Sequence, residues 1–390
     1  MRVGIDVSIL RRGVASGTAV YAYNLARALL SLDQPPELLL YFGARASPEG
    51  EEALARLGRL GARIVRGPAP WRWSPDGAWW LGLPPKVRAL WSAIDVYHFG
   101  EFHFPRAPAV PCVATVHDLT PQRFPQQHQR LNRVLHDRRL RWIARHAARV
   151  VAVSDATRRD LLEETGVDPA RVAVVHEARG HGAVEAAPLA AVLRRHGLND
   201  LPYVLMVGTL EPRKNHVRAL HAFEALADAF PTLRFALAGD WGWRSAPIRR
   251  ALEASPARHR IHVLGRVAAA DLRTLYAGAR VLAFPSLYEG FGIPILEAMA
   301  AGTPVLTSEV SSMPEVSGDA ALLVDPHSVG SIRAGLERLL TDEPLRARLV
   351  AAGRARERTF TWARTARQTL DVYHSAAGRA SPAQGAPRTR

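Results

Sequence analysis

Residues 280–306 read R-V-L-A-F-P-S-L-Y-E-G-F-G-I-P-I-L-E-A-M-A-A-G-T-P-V-L, and this stretch leaves the chain little conformational choice. Its first five residues are a short apolar run of the kind that makes a buried parallel strand. Gly290 and Gly292 then let the backbone approach a ligand with no Cβ in the way. Pro294 suits the first turn of a helix, where a missing N–H costs nothing, and Gly302 and Pro304 end that helix about two turns later. A strand, a glycine-bearing loop and a helix N-terminus together form a cradle for an anion. Glu289 and Glu297 bracket the cradle. A carboxylate beside a phosphate would repel it, so both glutamates should address neutral hydroxyls next to the anion. A sugar nucleotide has that combination of groups.

The chain around this stretch is long enough for two domains, at 390 residues, and its 48% hydrophobic and 22% charged residues are ordinary for a globular protein. No apolar run reaches the eighteen or so residues that span a bilayer. The opening M-R-V-G-I-D-V reads as a first strand rather than a signal peptide, because no long apolar segment or small-residue cleavage site follows. The single cysteine, Cys112, excludes an internal disulfide framework and fits a reducing cytoplasm; within its apolar run it reads as a small buried hydrophobe. The net charge of +15, from 51 Lys and Arg against 36 Asp and Glu, favours anionic partners. Nucleotides, phospholipid-linked acceptors, an anionic membrane surface and nucleic acid all qualify, and charge alone does not choose among them.

Short apolar strands alternate with amphipathic helices along both halves, which predicts an α/β chain with parallel sheets covered on both faces. In the first half, strands are expected at 1–8, 38–42, 95–98, 111–116, 150–153 and 172–175, with helices at 19–30, 51–60 and 126–149 and another opening at Ser154, a ready N-cap. A fresh start at 203–208 opens the second half, with strands at 233–238, 261–264, 280–284 and 322–325 and helices at 216–229, 271–277, 329–340 and 344–359. Residues 360–373 read as a C-terminal helix, and 377–390, rich in Ala, Gly, Pro and Arg, as a disordered tail. Two stretches stand apart. Trp71, Trp73, Trp79 and Trp80 lie in a proline-rich loop that either stacks on sugar or lipid or plugs onto its own domain. Residues 126–149 interleave arginines with Leu131, Val134, Leu135, Trp142 and Ile143, which fits a helix resting on an anionic membrane as well as a solvated arginine face over a buried stripe.

Glu289 and Glu297, with seven residues between them and G-F-G-I-P inside, resemble the E-x7-E signature of the glycosyl transferases group 1 family, retaining enzymes of the GT-B type. The following E-A-M-A-A-G-T-P-V strengthens the match, as does G-T-L-E-P-R-K-N at 208–215, which resembles the family's pyrophosphate-clamping loop. The resemblance covers about residues 1–375 and is strongest over 203–306. It implies two Rossmann-like domains with parallel sheets facing a central cleft. By this reading residues 1–178 form an acceptor-binding domain, 179–200 a linker, 201–360 a nucleotide-sugar domain, and 361–376 a helix crossing back to the first domain.

The resemblance also implies roles. Arg213 and Lys214 would stabilise the leaving diphosphate, with Gly208, Gly290, Phe291, Gly292 and Ile293 lining its site. Glu297 would hold ribose hydroxyls and Glu289 hydroxyls of the donor sugar. Arg266 would lie in the segment bordering the nucleobase, and His117, in T-V-H-D-L, would contact the donor sugar. Gly17 matches the first glycine of the family's N-terminal loop, but Ala19 stands where a second often sits. H-E-A-R-G at 176–180 replaces a frequent asparagine-glycine turn. No histidine–carboxylate pair and no D-x-D metal motif is evident, so the reading is a metal-independent enzyme in which a donor phosphate oxygen takes the acceptor's proton. Its donor is a nucleotide-diphosphate sugar, GDP-mannose ahead of a UDP sugar, with no further cofactor. Its acceptor is a glycan or a lipid-linked glycan, in bacterial surface-polysaccharide or glycolipid assembly. The enzyme would be cytoplasmic, with peripheral contact at the inner membrane face left open. The competing readings are an epimerase of the same fold and a basic nucleic-acid-binding protein. No nucleic-acid recognition module is readable, and the arginines are spread along the chain.

Overall fold

The computed structural model describes residues 1–14, 16–43, 45–66, 91–100, 109–180, 187–198 and 201–378, and the tryptophan-rich loop and the last twelve residues lie outside them. The chain divides into two compact units: Met1–Gly180 with the chain from Thr361 onward, and His181–Phe360.

The first unit is built on seven parallel strands: β1 (Arg2–Asp6), β2 (Glu37–Phe42), β3 (Arg63–Arg66), β4 (Val96–Phe99), β5 (Cys112–Val116), β6 (Arg149–Ala152) and β7 (Val172–Val174), in the order β3-β2-β1-β4-β5-β6-β7. The strand order reverses between β1 and β4, the point at which open α/β sheets bind ligands. Helices α1 (Gly17–Leu30), α2 (Pro48–Arg59), α3 (Arg130–His146) and α4 (Asp155–Thr165) follow in chain order. The helix expected over 126–149 forms but is shorter at both ends: Pro125 opens a short turn to Gln127, α3 runs unbroken from Arg130 to His146, and β6 begins at Arg149. Ser16 and Ser154 cap α1 and α4 by accepting from the third residue on. One face of the sheet carries a core that includes Leu25, Leu29, Val96 and Tyr373, and the other a core with Phe99, Leu140, Ile143 and Leu161. Each fully buried side chain of this size contributes about 1.5–3 kcal/mol.

In the second unit the order is β10-β9-β8-β11-β12-β13, from β8 (Tyr203–Val207), β9 (Arg234–Ala238), β10 (Ile261–Gly265), β11 (Val281–Phe284), β12 (Val305–Ser308) and β13 (Leu322–Val324). All neighbours are parallel, and the reversal falls between β8 and β11. The helices are α5 (His216–Glu224), α6 (Ala246–Ala254), α7 (Ala269–Gly278), α8 (Ile293–Ala301), α9 (Val329–Thr341) and α10 (Glu343–Glu357). Residues 189–195 also form a helix, where the sequence reading had only linker, and they cluster with this unit. Val192 and Leu193 are buried, which draws an alanine-rich segment into regular structure. Helix α8 ends at Gly302 as expected, and Val305 to Ser308 form a further buried strand that the sequence does not announce. The last helix, α11 (Trp362–Ala376), packs on α1 within the first unit.

Candidate active site

The second unit gathers its charged groups at its strand reversal. Arg213 and Lys214 follow β8, and Glu289 follows β11, so the two loops meet across the C-terminal ends of adjacent strands. Lys214 Nζ donates to Glu289 Oε1 at 2.7 Å, and Arg213 Nη1 donates to Glu289 Oε2 at 2.6 Å and to the Tyr288 carbonyl at 2.8 Å. On its other side Arg213 donates from Nε and Nη2 to Glu211 Oε1, at 3.1 and 2.8 Å. Two cations and two carboxylates thus form one buried, formally neutral cluster. Glu211, to which the motif alone assigns no role, is half of its negative charge.

The environment shifts both ends of the central pair. Burial pushes Glu289 up, but the Arg213 and Lys214 charges outweigh it and hold the carboxyl below the usual glutamate value. Burial lowers Lys214 from the ordinary lysine value, with Glu289 opposing that shift and Arg213 adding to it. The lysine stem also runs past Gly208, where a Cβ would sit 3.2 Å from Lys214 Cε and the backbone φ is +135°. Glycine at 208 is therefore favoured by the backbone conformation, and a Cβ would crowd the lysine stem.

The loop from Tyr288 to Ile293 is clamped from the β12 side. Ser311, itself at φ 58°, donates its hydroxyl to the Glu289 carbonyl at 2.6 Å and accepts from the Glu289 N–H at 3.3 Å. Ser312 shares its hydroxyl between the carbonyls of Glu289 (2.9 Å) and Phe291 (2.8 Å). Asn215, in the left-handed region at φ 64°, donates to the carbonyls of Pro285 and Pro326, tying the loops after β8, β11 and β13 together. None of these three polar residues stood out in the sequence as a support for the loop.

Gly292 takes φ +109° at the start of α8 and has no side chain to cap it, and the first turn of α8 carries no acidic residue. Phe284 lies beneath both elements, 4.9 Å from ring centroid to Lys214 Nζ and 3.8 Å from the position of a Cβ on Gly292. Helix N-terminus and lysine therefore flank the same ring. Phe291 is buried with its ring edge-on to Phe360 at 5.7 Å, so the side chain is core, and only its backbone can line a ligand. Glu297 accepts from the Tyr276 hydroxyl at 2.9 Å. Tyr276 is 2% exposed, and burial beside Glu297 keeps its phenol well above the usual value, so it remains a donor. Arg266 lies at the end of β10, exposed and paired with Asp240 at 2.8 Å through Nε. Among the described residues no three His, Cys, Asp or Glu side chains converge as a metal site would require.

In the first unit, His117 follows β5 and Nδ1 lies 3.0 Å from Glu177 Oε1. The sequence reading saw no histidine–carboxylate pair; the fold makes one from residues sixty positions apart, and Glu177 is buried. Tyr21 sets its ring edge-on to the imidazole at 4.7 Å between centroids. Its hydroxyl lies 3.1 Å from Thr115 Oγ1, which meets His98 Nε2 at 2.7 Å, and His98 Nδ1 meets the Tyr373 hydroxyl at 2.6 Å. Burial and the nearby His117 lower His98 to about 3, so it stays neutral. A small cavity at the reversal of this sheet is lined by Asp6, Thr18, Tyr21, His98, Gly100 and His117. Gly17 opens α1, and a Cβ there would meet nothing within 4 Å, so neither packing nor conformation demands glycine at this position.

Comparison with known proteins agrees with this architecture. Residues 193–356 match the glycosyl transferases group 1 family, and residues 15–178 match Glycosyltransferase Family 4. The O-antigen chain mannosyltransferase B of Escherichia coli is 31% identical over 372 residues, covering 92% of this chain and 96% of that one. The serotype-specific mannosyltransferase WbdA of Escherichia coli is 30% identical over 232 residues, which is 57% of this chain and 28% of that larger protein. The crystal structure of HepE from Anabaena, in complex with UDP and glucose, superposes with a TM-score of 0.75 over 96% of this chain and all of that one, at 16% identity, which speaks to the fold alone. The chain belongs to the glycosyl transferases group 1 family and is a glycosyltransferase of GT-B fold.

Proposed function

We propose that this glycosyltransferase moves mannose, with retention at the anomeric carbon, from a nucleotide-diphosphate sugar to a glycan or lipid-linked glycan of a bacterial surface polysaccharide. The observation that carries the reading is the Arg213–Lys214–Glu289 cluster at the strand reversal beside the uncapped N-terminus of α8. Positive charge fixed where the leaving diphosphate becomes more negative lowers the barrier, because the groups need no reorganisation as the bond breaks. Lys214 is the compact charge for a phosphate oxygen, and the α8 backbone N–H groups add their dipole. A carboxylate has about four acceptor positions, so Glu289 can hold both cations and still accept hydroxyls of the sugar. Glu297, oriented by Tyr276, is placed to accept ribose hydroxyls. In the first unit, His117 is the group for the sugar, and Gly17 lies at the start of α1 without a side chain.

Retention has the acceptor hydroxyl arrive on the face the diphosphate leaves, and a phosphate oxygen of the donor takes its proton. With two cations supplying the charge, the reaction runs without a divalent metal. The mannosyl assignment draws on the two Escherichia coli mannosyltransferases, and the guanine carrier on the resemblance of the V-H-D-L-T-P and F-P-S-L-Y-E-G-F-G-I-P runs to mannosyltransferases. Calorimetric titration with GDP, UDP, dTDP and ADP in EDTA tests the donor. Tight binding of GDP alone supports the reading, preference for UDP replaces the donor, and binding of none removes it. Product analysis of the anomeric linkage by NMR then tests retention, and an activity abolished by EDTA overturns metal independence.

A further inference from the structure

The +15 net charge is not explained by a nucleotide site whose four charges cancel, and helix α3 is where the excess is least compensated. Its seventeen residues hold six arginines and one acid, Asp137, which accepts from Gln122 at 2.7 Å. At 3.6 residues per turn, Arg130, Val134, Arg138, Arg141 and Arg145 fall on one stripe, with Leu131 at its edge. All six side chains are exposed, Leu131 and Val134 at 49% and 47%. The opposite side of the helix is anchored by Leu140 and Ile143 in the core.

Some arginines on other surface helices pair with carboxylates, as Arg56 does with Glu52 and Arg333 with Glu337. Among the described residues, the four arginines of the α3 stripe have no hydrogen-bond or ion-pair partner. Spacings of three and four residues place Arg138, Arg141 and Arg145 close enough to repel, and a helix surface gains nothing from that arrangement in isolation. Two large aliphatic side chains exposed on the same stripe add an apolar element that a solvated charge face does not need.

We propose that this face of α3 docks the enzyme on an anionic lipid surface, with the arginines at the headgroups and Leu131 and Val134 entering the interface. Basic side chains around exposed aliphatics match an interfacial helix lying in the membrane plane. A negatively charged leaflet attracts each arginine near it, while the aliphatic pair favours lipid over a purely polyanionic partner such as nucleic acid.

Cosedimentation of the full chain with phosphatidylcholine vesicles, with or without about one-third phosphatidylglycerol, at near-physiological ionic strength tests this. The chain should pellet with the anionic vesicles and remain in solution with the neutral ones. Arg138→Gln with Arg141→Gln should weaken partitioning by about 25-fold, roughly fivefold per arginine. Leu131→Ser with Val134→Ser should abolish the binding that survives raised salt. Arg348→Gln, on an exposed position of α10, is the control and should change nothing. Unaltered melting temperatures verify that the variants fold, since every substituted side chain is exposed. Equal binding to neutral vesicles, or wild-type binding by the double arginine variant, overturns the proposal. So does retention of duplex DNA without retention of vesicles, which would reassign the face to nucleic acid. The assay contains no sugar nucleotide, so its outcome is independent of the donor reading.

Discussion

His117 Nδ1 lies 3.0 Å from Glu177 Oε1, and the two residues come from the loops after β5 and β7. A buried carboxylate facing Nδ1 holds the proton on that nitrogen and fixes the ring plane, while Tyr21 braces the ring from its edge. In the proposed function Glu177 is thus a positioning residue that acts through His117.

Glu177→Gln should lower kcat/KM by about 10- to 100-fold, the value of one hydrogen bond to a charged group. The melting temperature should change little, and Glu177→Asp should recover part of the loss. Unchanged kinetics in Glu177→Gln would leave the pair a purely structural contact.

Lys214→Ala should remove about 2–4 kcal/mol of transition-state stabilisation, read mainly in kcat. Glu289→Gln should behave differently, because it leaves buried Lys214 without its carboxylate and removes one of the two that Arg213 has. It should cost about 3–5 kcal/mol of stability, measurable by urea unfolding. A Lys214→Ala variant with near-normal turnover would count decisively against the site.

The same cluster predicts the pH profile. Glu289 is held below the usual glutamate value, so its contribution to stability is complete above that value and is lost only as pH falls through the lowered one. Lys214 is lowered from the lysine value, so its cation is lost as pH rises through a point below the ordinary one. Activity should therefore persist into acid beyond a normal glutamate titration and fail in base earlier than a normal lysine would dictate. Replacing Lys214 with Arg should move the alkaline limb upward in a kcat profile.

Tyr373→Phe should leave His98 Nδ1 without its partner in a fully buried setting and cost about 1–3 kcal/mol by thermal unfolding. His98 stays neutral to about 3, so the unfolded chain binds the extra proton first. Stability should decline as pH drops below about 6.5, the unperturbed histidine value. A decline of equal size in a His98→Gln variant would assign that slope to other groups.

Gly239→Ala should be poorly tolerated. A Cβ there would lie 2.0 Å from the Gly208 carbonyl oxygen, so the loop that carries Lys214 must shift. A loss of at least about 1–3 kcal/mol in stability, with weakened nucleotide binding, is expected.

Much of this was legible in the chain itself. The apolar run at 281–284, Gly292 and the Pro294–Gly302 span specify strand, turn and helix α8 by local rules of conformation and capping, and the structure follows them closely. Lys214 and Glu289 could be nominated because each sits in a short motif. That they share one ion pair, in a cluster where Glu211 balances Arg213, could not be read, because the pairing depends on β8 and β11 being neighbours. Glu177 and Tyr276 carry no motif. Their significance comes from His117 and Glu297, residues 60 and 21 positions away, and from burial that excludes water as a competing partner. The residue 189–195 helix and strand β12 were missed for a related reason, since burial against the rest of the unit outweighs the weak local signals of short segments. Local sequence determined which elements form and which residues have suitable chemistry. Tertiary structure decided which of those residues meet, because hydrogen bonds and ion pairs act over a few ångströms in space regardless of separation along the chain.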